Sequence, residues 1–239
     1  MSTYLVLCQK TRQLCRIPGT GPTAVTGQTG IMKDIVEEVA DSWSEIQGRT
    51  ENWEWMKSTF TVNTVSGTAA YAGSDCTDSR LSAAITQARF NHWIIDDDDS
   101  PPKIYLTSEG VAAQRFIYFW PWEQFERIYR IAGQNTATGQ PAYISIDPQL
   151  NFVLGPTPDA VYTVTGNYQR GVQTMTADGD VPEMPAAYHN LIAYDAMEKY
   201  GYGNAAAEVI AKAQKYGNRL KRQLEKNQMR RWRKGGPLA

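Results

Sequence analysis

The sequence predicts an α+β protein with a helical bundle core, an inserted antiparallel β lobe and a long C-terminal helical arm. Three observations carry this reading. Apolar residues recur every three to four positions near both ends, β-branched runs and turn residues fill the middle, and the last helical segment outruns its own apolar stripe. The order is helix, helix, β block, helix, β block, helix, helix, and strands gathered between helices point away from an alternating parallel sheet. The expected division is 1–56 for the first part of the helical core, 57–181 for the β-rich lobe with one helix near 121–131, 182–211 for the second part of the core, and 212–239 for a basic arm.

Residues 3–16 place Tyr4, Leu5, Leu7, Cys8, Leu14 and Cys15 at helical spacing, and Pro18 with Gly19 ends that helix. Cys8 and Cys15, seven apart, are expected on one buried face with Leu5. The next stretch, GTGPTAVTGQ, reads as loop. A second helix is predicted from Gly30 to Thr50, capped by Gln28 or Thr29, with Ile31, Ile35, Val39, Trp43 and Ile46 as its buried stripe. Trp53, Trp55 and Met56 lead into KSTFTVNTVSG, whose period-two alternation predicts a strand. GTAAYAGSD is read as a second strand and Phe90 to Ile95 as a third.

Pro101 and Pro102 fix a turn before the strand KIYLT. Pro121 starts a helix that presents Phe125, Ile128 and Tyr129 on one side, and TATGQ is a turn. PAYISID, NFVLGP and AVYTVTGNYQRG then read as three consecutive strands of an antiparallel meander. PEMP at 182–185 ends the β region and starts a helix through AAYHNLIAYDAMEKY, which GYGN breaks. The last helix runs from Ala205 as far as Trp232, rich in strong helix formers. Beyond Leu224 only Met229 and Trp232 are large and apolar, so its end needs a partner.

With 42% hydrophobic and 11% aromatic residues in a chain of 239, disorder is excluded. No stretch nears the roughly 20 apolar residues of a membrane span, and the opening residues lack a signal-peptide layout, so synthesis in the cytoplasm without a membrane partner is expected. Three cysteines without a CxxC pair read as free thiols. The formal charge of −1 conceals segregation: Lys212 to Lys234 hold ten basic residues against Glu225, so the remainder carries −10. Asymmetry of that kind marks an interaction segment.

Catalytic, cofactor and metal motifs are not found. His92 and His189 have no ligand partners at metal spacing and read as structural. GTGPTAVTG lacks a phosphate-reaching lysine. Asp96 to Asp99 lack the EF-hand spacing and closing Glu, and mutual repulsion makes them a solvated loop tip. A hydrolase with paired carboxylates remains possible from sequence, because the pair need only meet in space. The basic arm is the strongest signal. On a helix, Arg219, Arg222 and Lys226 share a face, and Arg230, Arg231, Trp232 and Arg233 form a terminal cluster with an aromatic. That pattern fits a helix docking into an acidic groove, direct nucleic-acid contact, or a solvated face.

Several segments in sequence order carry a resemblance: Tyr4-Leu5-x-Leu7-Cys8, PTAVTGQTG, NWEWM, KIYLTSEGV, WEQFERIY, TGQPAYISIDPQLNFVLGPTPDAVYTVTGNYQRG and DVPEMPAAYHNLIAYDAMEKY. Together they resemble the head-to-tail adaptor, or connector, proteins of tailed bacteriophages, in particular short-tailed ones. The resemblance implies a virion structural protein at the head-tail interface and not an enzyme. It implies partners: further copies in a ring of twelve, the portal protein, tail or nozzle proteins, and genomic DNA passing through the channel without sequence-specific binding. It also implies that the C-terminal segment docks on the portal, which makes Arg219, Arg222, Lys226, Arg230, Arg231, Trp232 and Arg233 the candidate docking residues. A nucleic-acid-binding module using the same helix is the alternative.

Overall fold

The computed structural model describes residues 2–50, 52–95, 100–130 and 138–228. The Asp96–Asp99 run and Met229 through Ala239 lie outside the described residues. Among the described residues the α-helices are α1 (Tyr4–Leu14), α2 (Ile31–Gly48), α3 (Trp122–Tyr129), α4 (Asn190–Gly203) and α5 (Ala207–Gln228). The strands are β1 (Lys57–Asn63), β2 (Ala70–Tyr71), β3 (Thr77–Asp78), β4 (Ala83–Ala84), β5 (Phe90–Ile94), β6 (Lys103–Leu106), β7 (Arg115–Phe116), β8 (Tyr118–Phe119), β9 (Thr138–Gly139), β10 (Tyr143–Ile146), β11 (Phe152–Gly155), β12 (Thr157–Pro158) and β13 (Tyr162–Arg170). Helices flanking antiparallel sheets make the protein α+β, as expected. The chain divides into two units, Met1–Met56 with Val172–Ala239, and Lys57–Gly171.

In the first unit, α1, α2 and α5 all pack on α4. Thr3 caps α1 by accepting the Val6 N–H, and the buried Leu7 and Cys8 face Ile35, Val39, Trp43 and Ile46 of α2 and Leu191, Ile192 and Ala196 of α4. Cys15 is also buried, but in a separate small cluster with Met197 and Ala213. The α2 cap differs from expectation: Gly30, at φ 55°, occupies the cap position, and no side chain bonds there. Ile31, the first residue of α2, is exposed rather than part of the stripe. Polar ties fix the helices: the Tyr4 hydroxyl donates to Val36 O at 2.8 Å, Lys199 pairs with Glu45 at 2.9 Å, and Arg49 pairs with Asp195. Residues 172–181, expected in the β lobe, belong to this unit. Gln47 holds Gln173 by two reciprocal bonds of 3.0 and 2.7 Å, and Asp178 accepts the Val25 N–H at 2.6 Å.

The second unit is built on β13. One edge of this strand pairs with β1 along its length, and the other is shared, Tyr162–Thr165 with β6 and Asn167–Arg170 with β5. The sheet order is β4-β3-β1-β13-β6-β7 with β5 beside β13. A second sheet, β2-β11-β10-β8, contributes Phe152, Leu154 and Ile144 to a core they share with Phe60, Trp93, Ile104 and Tyr168 of the first. Phe152 lies 5.1 Å from Trp93 and 5.5 Å from Phe60 between ring centroids.

The expected three-strand meander is therefore split. β10 and β11 form the hairpin, with Asp147 accepting the N–H groups of Gln149 and Asn151 in its turn, but β13 leaves for the other sheet. Local turn chemistry reveals the hairpin, while the β1–β13 pairing spans about a hundred residues and has no local signal. Two smaller expectations also change. Only Phe125 of α3 is buried, with Ile128 exposed, and Thr138–Gly139 of the expected turn pairs with β12 as a short parallel strand.

Candidate functional site

The basic helix forms as the composition dictates. Ala, Glu, Lys, Gln and Leu dominate Ala207–Gln228, Glu208 sits in the first turn and Lys226 in the last, and both complement the helix dipole. Its inner side buries Ala213 and Leu224. Tyr216 stacks on Tyr194 of α4 at 5.7 Å, and Gln214 donates to Glu198 at 3.1 Å. Gly201 of α4 makes the approach possible, since a Cβ there would stand 2.7 Å from Ile210 Cγ1. The arm is thus not separable at residue 212: through Leu224 it is part of the helical core.

Its outer side is a single charged stripe. Lys215, Arg219, Arg222 and Lys226 are all exposed and spaced four, three and four residues apart, which keeps them on one face. A shallow groove along it is lined by Ala211, Gln214, Lys215, Asn218, Arg219 and Arg222, among others. Among the described residues no ion pair reaches Arg219, Arg222 or Lys226. The structure therefore brings together Arg219, Arg222 and Lys226 as the spacing predicts. The other candidates, Arg230, Arg231, Trp232 and Arg233, lie outside the described residues.

A second cationic surface had no signal in the sequence. Lys103, Gln114, Arg115, Phe116, Tyr118 and Ala142 line a groove of the β unit, where pairing of β6 with β7 sets Lys103 opposite Phe116 and its Nζ 5.8 Å from the ring centroid. The contact depends on strand pairing across thirteen residues of separation, so neither residue announces it alone. Neither groove contains a carboxylate among the residues named for it.

Reactive side chains have structural surroundings. His189 is buried, with Nδ1 facing the Ser2 N–H at 3.3 Å and Nε2 the Met184 carbonyl at 3.0 Å. An N–H must face the carbonyl and a lone pair the amide, so the fold selects the tautomer protonated at Nε2. Burial pushes the thiols of Cys8 and Cys76 up to about 12 and that of Cys15 to about 11, which removes thiolate chemistry at neutral pH. Among the described residues no group of three or more His, Cys, Asp or Glu is placed to hold a metal ion. Among them too, no helix is long and apolar enough to cross a membrane.

Comparison with known proteins supplies what the geometry leaves open. No curated protein matches the sequence. The family model described as "SU10 adaptor protein" matches residues 2–239, nearly the whole chain and both structural units. With a helical unit that displays an exposed cationic helix face, and with that match running from end to end, the chain belongs to the SU10 adaptor protein family.

Proposed function

We propose that this protein is a phage structural adaptor that assembles as a ring at the head-tail junction, between the portal and the tail, and continues the channel through which the genome passes. Membership in an adaptor family supports a structural role in assembly with other virion proteins. The observation that carries the reading is α5. A helix whose outer face is a continuous cationic stripe, in a chain whose remainder outside Lys212–Lys234 carries −10, is built for contact with something acidic outside its own unit. In this reading the ring has twelve subunits, the basic C-terminal segment contributes the contact to the portal, and no catalytic step is involved.

The test uses the full chain mixed with purified portal protein and imaged by negative-stain electron microscopy. Stacked rings on the portal are expected. Replacing Arg230, Arg231 and Arg233 by Glu and Trp232 by Ala is expected to abolish stacking while leaving the fold intact. Portal binding unchanged by those replacements overturns the docking role of the arm. The exposed cationic stripe also favours a second reading, direct binding of nucleic acid, which predicts affinity for duplex DNA falling steeply with salt. Weak, salt-insensitive retention of DNA removes it.

A further inference from the structure

The helical unit carries two charged helix faces of opposite sign and matched spacing. On α5, Lys215, Arg219, Arg222 and Lys226 stand at intervals of four, three and four residues. On α2, Asp34, Glu38, Asp41 and Glu45 stand at the same intervals, with Glu37 beside them, all exposed except the half-buried Glu38. Eleven residues of helix rise about 16 Å, so both stripes have the same length. Buried residues of α2 (Ile35, Val39, Trp43 and Ile46) lie about a third of a turn away from it, so the acidic stripe runs along the solvent-exposed flank of α2 beside α4, with Glu45 at its end held by Lys199.

Among the described residues no ion pair joins these two faces within one chain. α4 stands between them: Asp195 and Lys199 reach α2, through Arg49 and Glu45, whereas Tyr194 and Glu198 reach α5, through Tyr216 and Gln214. Each charged stripe faces outward from a different side of α4. Internal neutralisation of the acidic stripe is partial. Lys33 lies 3.4 Å from Glu37 in an exposed pair and Lys199 holds Glu45, but among the described residues no ion pair reaches Asp34, Glu38 or Asp41. Burial raises the Glu38 carboxyl above its ordinary range; Lys199 opposes this, and Asp41, Glu45 and Asp34 add to it, so these carboxylates repel one another in the isolated chain.

We infer that the outer face of α5 docks on the acidic face of α2 of a second copy of this chain. The two surfaces are different and complementary, which is what a head-to-tail contact requires if identical subunits are to close into a ring. Charge complementarity over equal lengths fixes the register and disfavours α5 meeting α5 or α2 meeting α2. The inference rests on the ring reading and divides the basic segment. Lys215 to Lys226 serve the neighbouring subunit, which leaves Arg230 to Arg233 for the portal.

Two full-length variants test it, one with Arg219→Glu and Arg222→Glu on α5, the other with Glu38→Lys and Asp41→Lys on α2. Assembly is followed by sedimentation velocity over rising concentration, alone and with portal protein. Each variant alone is expected to self-associate at least tenfold more weakly than the wild type, because like charges then face each other. An equimolar mixture of the two is expected to assemble, since every α2–α5 contact again pairs opposite charges, and that rescue shows both variants folded. A mixture no better than its components, or single variants that assemble like the wild type, overturns this interface and leaves the ring reading standing. A wild-type protein that stays monomeric at every concentration, with portal present as well, overturns both.

Discussion

The Tyr168 hydroxyl donates a 2.6 Å hydrogen bond to Asp78 Oδ2 across ninety residues of chain, and the carboxylate it meets is almost entirely buried. Ser58 donates to the other oxygen at 2.9 Å, and the Arg80 and Leu81 N–H groups reach the same atom at 2.7 and 3.2 Å. One side chain from β3 thereby ties β1, β13 and the following turn together. Burial opposes ionisation of Asp78, but the four donors outweigh it, and its carboxyl is held below the ordinary range. Burial, and after it the same contact, raise the Tyr168 phenol.

Asp78→Ala is therefore expected to destabilise the β unit by about 3 kcal/mol, because it strands several buried donors, and Tyr168→Phe by about 1–2 kcal/mol. With a folded pKa below the unfolded one, the Asp78 contribution is complete above the unfolded value and is lost as pH falls through the folded one. Urea denaturation from neutral pH down to about pH 3 should show this loss in the wild type and its absence in Asp78→Asn.

Gly166 sits opposite Phe60 in the β1–β13 ladder, and a Cβ at that position would fall 2.7 Å from the ring. Phe60 has no room to retreat, since Trp93 and Phe152 enclose it at 4.7 and 5.5 Å. Gly166→Ala should cost about 1–3 kcal/mol, measured by thermal or chemical unfolding, and Gly166→Val more. A neutral Gly166→Ala would show that the ladder shifts to admit the methyl.

All three thiols are expected to be inert to a thiol-specific reagent in the native protein at pH 8 and to react together once it unfolds. Burial raises Cys8 and Cys76 to about 12 and Cys15 to about 11, against an ordinary value of 9.0. The stability that buried neutral thiols contribute is full below the unfolded pKa and declines as pH rises through the folded values, so alkaline destabilisation should begin near pH 9. Thiol counting with and without denaturant checks the first point, and denaturation curves at rising pH the second.

His189→Ala should cost about 1–3 kcal/mol, because the Met184 carbonyl and the Ser2 N–H both lose a buried partner. His189→Gln, which offers a donor and an acceptor, should recover part of that loss in the same unfolding assay.

The legible parts of this protein are local. Helical periodicity around Ile35, Val39 and Trp43, the turn at Asp147 and the helix-forming composition of Ala207–Gln228 each follow from residues within a few positions of one another. Long-range partnership was not legible. Pairing of β13 with β1 instead of β11, the Tyr168–Asp78 bond and the juxtaposition of Lys103 with Phe116 depend on chain closure that no local pattern encodes. Half of the candidate site was accessible in the same way. The spacing of Arg219, Arg222 and Lys226 puts them on one face, but the matching acidic face of α2 gains meaning only once α4 is seen to hold the two apart.

Sequence by itself thus determined the α+β class, the helices with those of their boundaries that fall among the described residues to within a few positions, the charge segregation and the family; the expected helix end at Trp232 lies outside the described residues. Tertiary structure alone decided which strands share a sheet and that α5 is core on one side and exposed on the other. It also decided that α2 and α5 are reached by different residues of α4, with no ion pair between their charged stripes among the described residues. The physical reason is range: helix faces and turns are set by residues a few positions apart, whereas a surface is set by which elements happen to cover one another.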